Sequence, residues 1–287
     1  MVLHLASMLA AFGLVAIGGL RAPAHAAGAA PAQAAQAAQA AQAAPAAPAA
    51  EWVERLPIVD RSIEHHGGAR YEASRIELEL CSANGCFAIE TRTEGGLFEH
   101  VVTGEDGMRV RATNDTVERW EGGRQVPVPP GEEARRRRFV SARVYFAFLP
   151  YRLNDPGVWK QDHGIVDWEG RPLHKVAVSF GSRAAGGDQG SETGQTSDEY
   201  MYWFDPETGE IVYFAYDFVG EPSGVRFRRA INLRRIGGIL FFDQENLGLD
   251  GEGLDVTQID PRFVAERLPR ISVVELRDIR VTPLPAD

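Results

Sequence analysis

RIELELCSANGCFAIE, residues 75–90, is two alternating runs around a turn. Ile76, Leu78 and Leu80 fall on one side of the first run, and Glu77, Glu79 and Cys81 on the other. On the return, Phe87 and Ile89 continue the apolar side and Cys86 and Glu90 the polar one. A period of two with one apolar side is the pattern of a half-buried strand, so the segment reads as a β-hairpin. Ser82-Ala83-Asn84-Gly85 is the expected turn. A four-residue loop sets Cys81 opposite Cys86 on the outer face, and in an oxidising compartment the pair would join. The alternative is a C-x4-C metal pair, although the chain has two cysteines in all and no second pair to complete a zinc site.

The same period continues through most of the chain. Residues 96–123 hold three short runs separated by Gly-Glu-Asp-Gly and Thr-Asn-Asp. GVWKQDHGIVDWEG, RPLHKVAVSF, DEYMYWFDPETG, EIVYFAYDFVG, GVRFRRAINLRRIGG, ILFFDQENLG and RISVVELRDIRVTPL follow. Ten to twelve strands at hairpin spacing imply a large antiparallel sheet, curled into an open barrel. Two segments depart from it. WVERLPIVDRSIEHH places Val59, Ile63 and His66 at i, i+4 and i+7 with Pro57 suited to a first turn, which predicts an amphipathic helix. GEEARRRRFVSARVYFAFLP opens on Glu132-Glu133 and stops at Pro150, as a helix would. Val140, Ala142, Val144, Phe146 and Phe148 would also line one face of a strand, but length and the acidic start favour the helix. Residues 180–199 are rich in Gly and Ser and read as a loop between strands.

The first twenty residues are almost wholly apolar, and Ala24-His25-Ala26 fits a signal-peptidase site, so residues 1–26 are expected to be a signal peptide. No lysine or arginine precedes the apolar run, and retention as an anchor is the alternative to cleavage. Residues 27–50 are Ala, Pro and Gln repeats with no side chain that could build a core, hence a disordered spacer. Residues 51–287 are left as one domain. Arg21 is the only Lys, Arg, Asp or Glu before Glu51, so the chain's net charge of −10 becomes −11 for that domain alone. Nucleic acid and anionic membrane surfaces both require clustered positive charge and are poor partners for it.

The residues capable of chemistry do not assemble into a familiar pattern. Adjacent residues on a helix diverge by about 100°, so His65 and His66 are placed to end a helix before Gly67-Gly68 rather than to share a metal. His100, His163 and His174 sit on separate strands without metal-ligand spacing. There is no G-x-S-x-G elbow. Asp205–Gly209, DPETG, is turn chemistry. No catalytic residue, metal or cofactor is expected. Arg226, Arg228 and Arg234 share a strand face opposite Val225, Phe227, Ile231 and Leu233. They form either a solvated face or an arginine lip at a cavity mouth, suited to an anionic head group.

SIEHHGG (62–68), VYFAFLPYRLNDPGVWK (144–160) and YWFDPETGEIVYFAY (202–216) resemble, in that order, a family of secreted bacterial proteins of unknown function. That family is similar to the outer-membrane lipoprotein carriers of the Lol type and to envelope-stress regulators of the same fold. The resemblance covers about residues 55–285. It implies a mainly β (α+β) half-open barrel with an N-terminal helix, a helical lid and an apolar concave face that holds acyl chains or other hydrophobic ligands; it brings no catalytic residues. The strands' own richness in Phe, Tyr, Trp and Met allows such a pocket, or equally a filled core. The expected pocket residues are Val144, Phe146 and Phe148 on the lid and Tyr202, Phe204 and Tyr213 on the strands, with Arg226 and Arg228 meeting a head group. The expected molecule is a periplasmic or secreted, non-catalytic monomer that binds a lipid or other hydrophobic small molecule, with an envelope protein as a further partner. A sensor or protein-interaction module of the same fold with a filled core is the alternative.

Overall fold

The hairpin is the ladder that the alternation asks for. In the computed structural model, described over residues 51–180, 199–218, 223–251 and 254–285, β2 (Ser74–Ser82) pairs with β3 (Gly85–Glu94). Leu78 faces Ile89, Leu80 faces Phe87, and Cys81 faces Cys86. The two cysteines form a disulfide. The strands run closer to the turn than expected, leaving Ala83 and Asn84 as the loop. The leader and spacer expected over 1–50, and most of the loop expected over 180–199, lie outside the described residues.

From this hairpin the sheet grows on both sides. β4 (Leu97–Gly104), β5 (Arg109–Thr113), β6 (Val117–Glu121) and β7 (Arg124–Val126) follow β3 as a meander. On the other side lies β14 (Arg270–Pro283), then β13 (Ile239–Asp250), β12 (Gly224–Ile236), β11 (Ile211–Phe218) and β10 (Glu199–Phe204). β9 (Arg171–Phe180), β8 (Val158–Trp168) and β1 (Trp52–Val53) complete it. All fourteen strands form one antiparallel sheet whose end strands, β1 and β7, do not meet. The sheet is curled and open. The two strands beyond the expected twelve are β1 and β7, two and three residues long, too short for alternation to register.

Three helices pack on this sheet. α1 (Pro57–His66) begins with Pro57 in its first turn and buries Ile58, Val59, Ser62 and His66. It stops at Gly67, whose φ of 153° strains any other residue and where a Cβ would press on Ile239 and Tyr71 at 3.1 Å. α2 (Glu133–Ala147) buries Val140, Val144 and Ala147, spaced four and three apart, so the helical period wins over the strand-like alternation in the same residues. α3 (Pro261–Arg267) is short and capped by Asp260, whose Oδ1 accepts from Phe263 N at 2.6 Å. Among the described residues no helix is long and apolar enough to cross a membrane.

The sheet is buried on both faces where it is most aromatic. On β10, Tyr200, Tyr202 and Phe204 enter a core with α1, Leu149 and Leu153 on the inner face. Met201 and Trp203, pointing the other way, join Trp168, Phe227 and the 254–268 segment on the outer face. A third core joins α2 to the inner face of β2, β3 and β5. Double burial explains why β10 and β11 carry so many large side chains.

Candidate functional site

Between α2, the following turn and the inner face of β2–β4 lies a cavity of about 450 Å³, within the size range of small-molecule sites. Ile76, Val144 and Phe148 supply apolar walls that are almost wholly buried. The turn Tyr151–Asn154, a short 3-10 helix directly after the Phe148-Leu149-Pro150 stop, closes one side.

Five contacts fasten that turn. The Tyr151 ring stacks on Tyr71 at 4.6 Å, and its hydroxyl donates to Glu72 at 2.8 Å. Asn154 donates to Asp60 on α1 at 2.7 Å. Arg152 bonds Asp155 at 2.6 Å through Nε and donates from Nη1 to His100 Nε2 at 3.2 Å. A guanidinium can only donate, so His100 Nε2 must be the accepting nitrogen and the ring proton sits on Nδ1. That proton goes to Thr91 Oγ1, 2.6 Å away. His100 is buried against Phe98, with ring centroids 4.6 Å apart. Burial, then the charge of Arg152, holds its pKa at about 3, so it is neutral and serves as a fixed hydrogen-bonding post. Thr91–His100–Arg152–Asp155 is thus a continuous chain along one side of the cavity, whose lining also includes Glu72, Thr93 and Asn114.

Of the residues expected in a pocket, Val144 and Phe148 line this cavity. Phe146, two residues from each, turns to the other core. There it stacks on Phe214 at 6.1 Å and meets Tyr216 at 5.5 Å. Tyr202 and Phe204 are fully buried in that core, and the hydroxyls of Tyr145 and Tyr202 bond to each other. Tyr213 lies on the outer face against Trp168 and Phe227. Arg226 pairs with Asp250 at 2.8 Å beside Phe218. Arg228 is buried, bonded to Gln244 and Tyr216 at 2.7 and 2.9 Å, with its guanidinium over Phe146. The expected sharing of one face by Arg226, Arg228 and Arg234 is broken by a bulge after Ile231, where Asn232 takes φ 52°. None of the three arginines lines the cavity; Arg152, from the 3-10 turn, does.

The histidines separate by role. His66 accepts the Ile211 backbone N–H at 3.3 Å and packs on Phe242, while His65 points toward Glu210. His174 bonds Asp162 across β8 and β9 at 2.7 Å, and no histidine joins another around a metal position among the described residues. The one metal-like grouping there, Glu79 with Cys81 and Cys86, has its sulfurs committed to the disulfide.

Residues 134–262 match the model of a family of unknown function, DUF6503. Those residues take in the second and third of the motifs that carry the sequence resemblance, 144–160 and 202–216; SIEHHGG lies ahead of them. Among curated proteins none matches the chain. Solved structures with a similar fold include a LolA superfamily protein from Nitrosomonas europaea, 9% identical, covering 83% of this chain and 96% of its own at a TM-score of 0.44. A DUF1329 family protein from Desulfovibrio piger is 10% identical, covering 78% and 91% at 0.40. An outer membrane lipoprotein-sorting protein domain from Vibrio parahaemolyticus is 8% identical, covering 78% and 91% at 0.39.

Proposed function

We propose that this chain is exported into the bacterial envelope and there binds an apolar or amphiphilic molecule, of the lipid or acyl-chain class, without reacting with it. The observation that carries the reading is the cavity of about 450 Å³ with buried apolar walls at Ile76, Val144 and Phe148. Burying hydrocarbon there is worth about 0.8 kcal/mol per methylene, so a chain of modest length supplies the affinity. The hydrogen-bonded chain along one side holds no poised nucleophile: Thr91 Oγ1 accepts from a neutral imidazole, which is already engaged on both nitrogens. Export rests on the apolar leader and fits the cysteine pair at the first hairpin.

The test uses the protein purified from its envelope fraction. Solvent extraction with mass spectrometry should recover a lipid-class molecule, and the emptied protein should bind the uncharged fluorophore N-phenyl-1-naphthylamine. Thr93 lines the cavity from β3 without belonging to any core. Thr93→Trp should cut probe binding at least tenfold with the unfolding midpoint unchanged. An empty protein that also ignores the probe ends this reading.

The filled inner core around Phe146 and Tyr202 favours a second reading, a protein-interaction or sensor module. It calls for no extractable molecule and for crosslinks to an envelope protein.

A further inference from the structure

The charges around the cavity mouth say which amphiphiles it takes. Three ionised side chains line it: Glu72, Arg152 and Asp155. The one cation is already neutralised, because Arg152 meets Asp155 Oδ2 at 2.6 Å through both Nε and Nη2 and spends Nη1 on His100. The hydrogen-bond partner of Glu72 is the hydroxyl of Tyr151 rather than a cation. A neighbouring hollow of about 410 Å³ shares Glu72, Tyr151, Asn154 and Asp155 with the first. It adds Asp60 and Glu64 against Arg55, and Arg55 is itself paired with Asp60 at 3.2 Å. Arg152 and Arg55, the arginines lining these two hollows, therefore face carboxylates, and Glu72 and Glu64 make no ion pair among the described residues.

A carboxylate or phosphate head entering here would leave water for a site with no uncommitted cation and a net negative field, which is unfavourable on both counts. An uncharged head loses little by comparison, and the remaining Arg152 N–H groups and the Glu72 oxygens offer it donors and acceptors. Building on the binding reading above, we propose that the cavity selects amphiphiles with uncharged, hydrogen-bonding heads and excludes anionic ones. It means that a fatty-acid probe is the wrong reporter.

The experiment compares two ligands of one chain length, a monoacylglycerol and the corresponding fatty acid, by displacement of N-phenyl-1-naphthylamine at pH 8 and low salt. The monoacylglycerol should bind at least tenfold more tightly, with the gap narrowing in high salt. Glu72→Gln keeps an acceptor for Tyr151 and removes the uncompensated charge; Asp155→Asn frees the Arg152 charge. Each should raise fatty-acid affinity more than monoacylglycerol affinity, and so narrow the ratio between the two ligands several-fold; an unchanged ratio in both variants overturns the selectivity. Equal or tighter binding of the fatty acid to the unaltered protein overturns the selectivity and leaves the binding reading standing. Binding of neither ligand, with no response to the probe, overturns both.

Discussion

Nε2 of His66, the last residue of α1, accepts the backbone N–H of Ile211, the first residue of β11, at 3.3 Å. The bond ties the N-terminal helix to the hairpin that closes at DPETG. On the same contact, Gly209 of that turn has φ 77°, and a Cβ there would come within 2.7 Å of the Ser62 backbone nitrogen. Asp205 Oδ1 holds the turn by accepting from Thr208 and Glu207 N–H. His66→Ala removes both the acceptor and a buried ring beside Phe242, and should destabilise the protein by about 2–4 kcal/mol. Gly209→Ala should cost at least 1 kcal/mol for its backbone conformation alone. Chemical denaturation with an unchanged m-value checks both; a loss under 0.5 kcal/mol for either contradicts the contact.

Acid should unfold this protein early. Burial is the first cause that holds His66 and His100 at about 3, below the ordinary 6.5. Arg152 adds to it at His100; His65 and then Arg235 add to it at His66, against a backbone hydrogen bond with Leu240. Between pH 6.5 and 3 the unfolded chain takes up protons that the folded one refuses. The stability is thus complete above pH 6.5 and is lost as the pH falls, by about 1.4 kcal/mol per unit for each histidine. Carboxylates held low, such as Asp162 and Asp205, act in the same direction but at lower pH. Unfolding midpoints measured from pH 7 to 4.5 should fall steeply, and His100→Gln should roughly halve the slope. A flat profile over that window contradicts the burial of both rings.

The first hairpin gives a smaller effect. Cys81 and Cys86 close a loop with a sequence separation of only five, so cross-linking removes little freedom from the unfolded chain, about 2 kcal/mol at most. Cys81→Ser with Cys86→Ser, or reduction of the native protein, should lower the unfolding midpoint by a few degrees and leave N-phenyl-1-naphthylamine binding unchanged. Loss of the fold on reduction would show that the hairpin depends on the bond more than its ladder implies.

How far the sequence could be read follows from these same residues. Alternation in 75–90 was enough for the sheet, its antiparallel sense and the Cys81–Cys86 pairing, because a one-sided strand writes its burial into every second position. Val59, Ile63 and His66 were enough for α1. The site was harder. YMYWF looks like the wall of a hollow, but the outer face of β10 is covered by the 254–268 segment, whose approach is a long-range event with no local pattern. Arg226 and Arg228 stood out by their number, whereas Arg152 is a single arginine in a turn. Its importance comes from His100, fifty-two positions away, which only the folded chain brings near. The signal available was proximity to the Phe148-Leu149-Pro150 stop, where a chain leaving a lid must return to the sheet.

The division between cavity and core makes the last prediction, and it is a double one. Tyr202 lies in the packed inner core, fully buried, with its hydroxyl on Tyr145 and its ring against Phe214. Thr93 faces the cavity, half-buried and outside that core. Tyr202→Ala should therefore cost about 3–5 kcal/mol of stability, the usual loss for a large buried ring. At temperatures where it remains folded, its affinity for N-phenyl-1-naphthylamine should stay within about twofold of the parent. Thr93→Trp should do the opposite, leaving stability intact and blocking the probe. If Tyr202→Ala abolished binding in the folded protein while Thr93→Trp bound normally, the hollow would lie under the lid at Phe146, where the aromatic strands first suggested it, and the Arg152 end would lose its role.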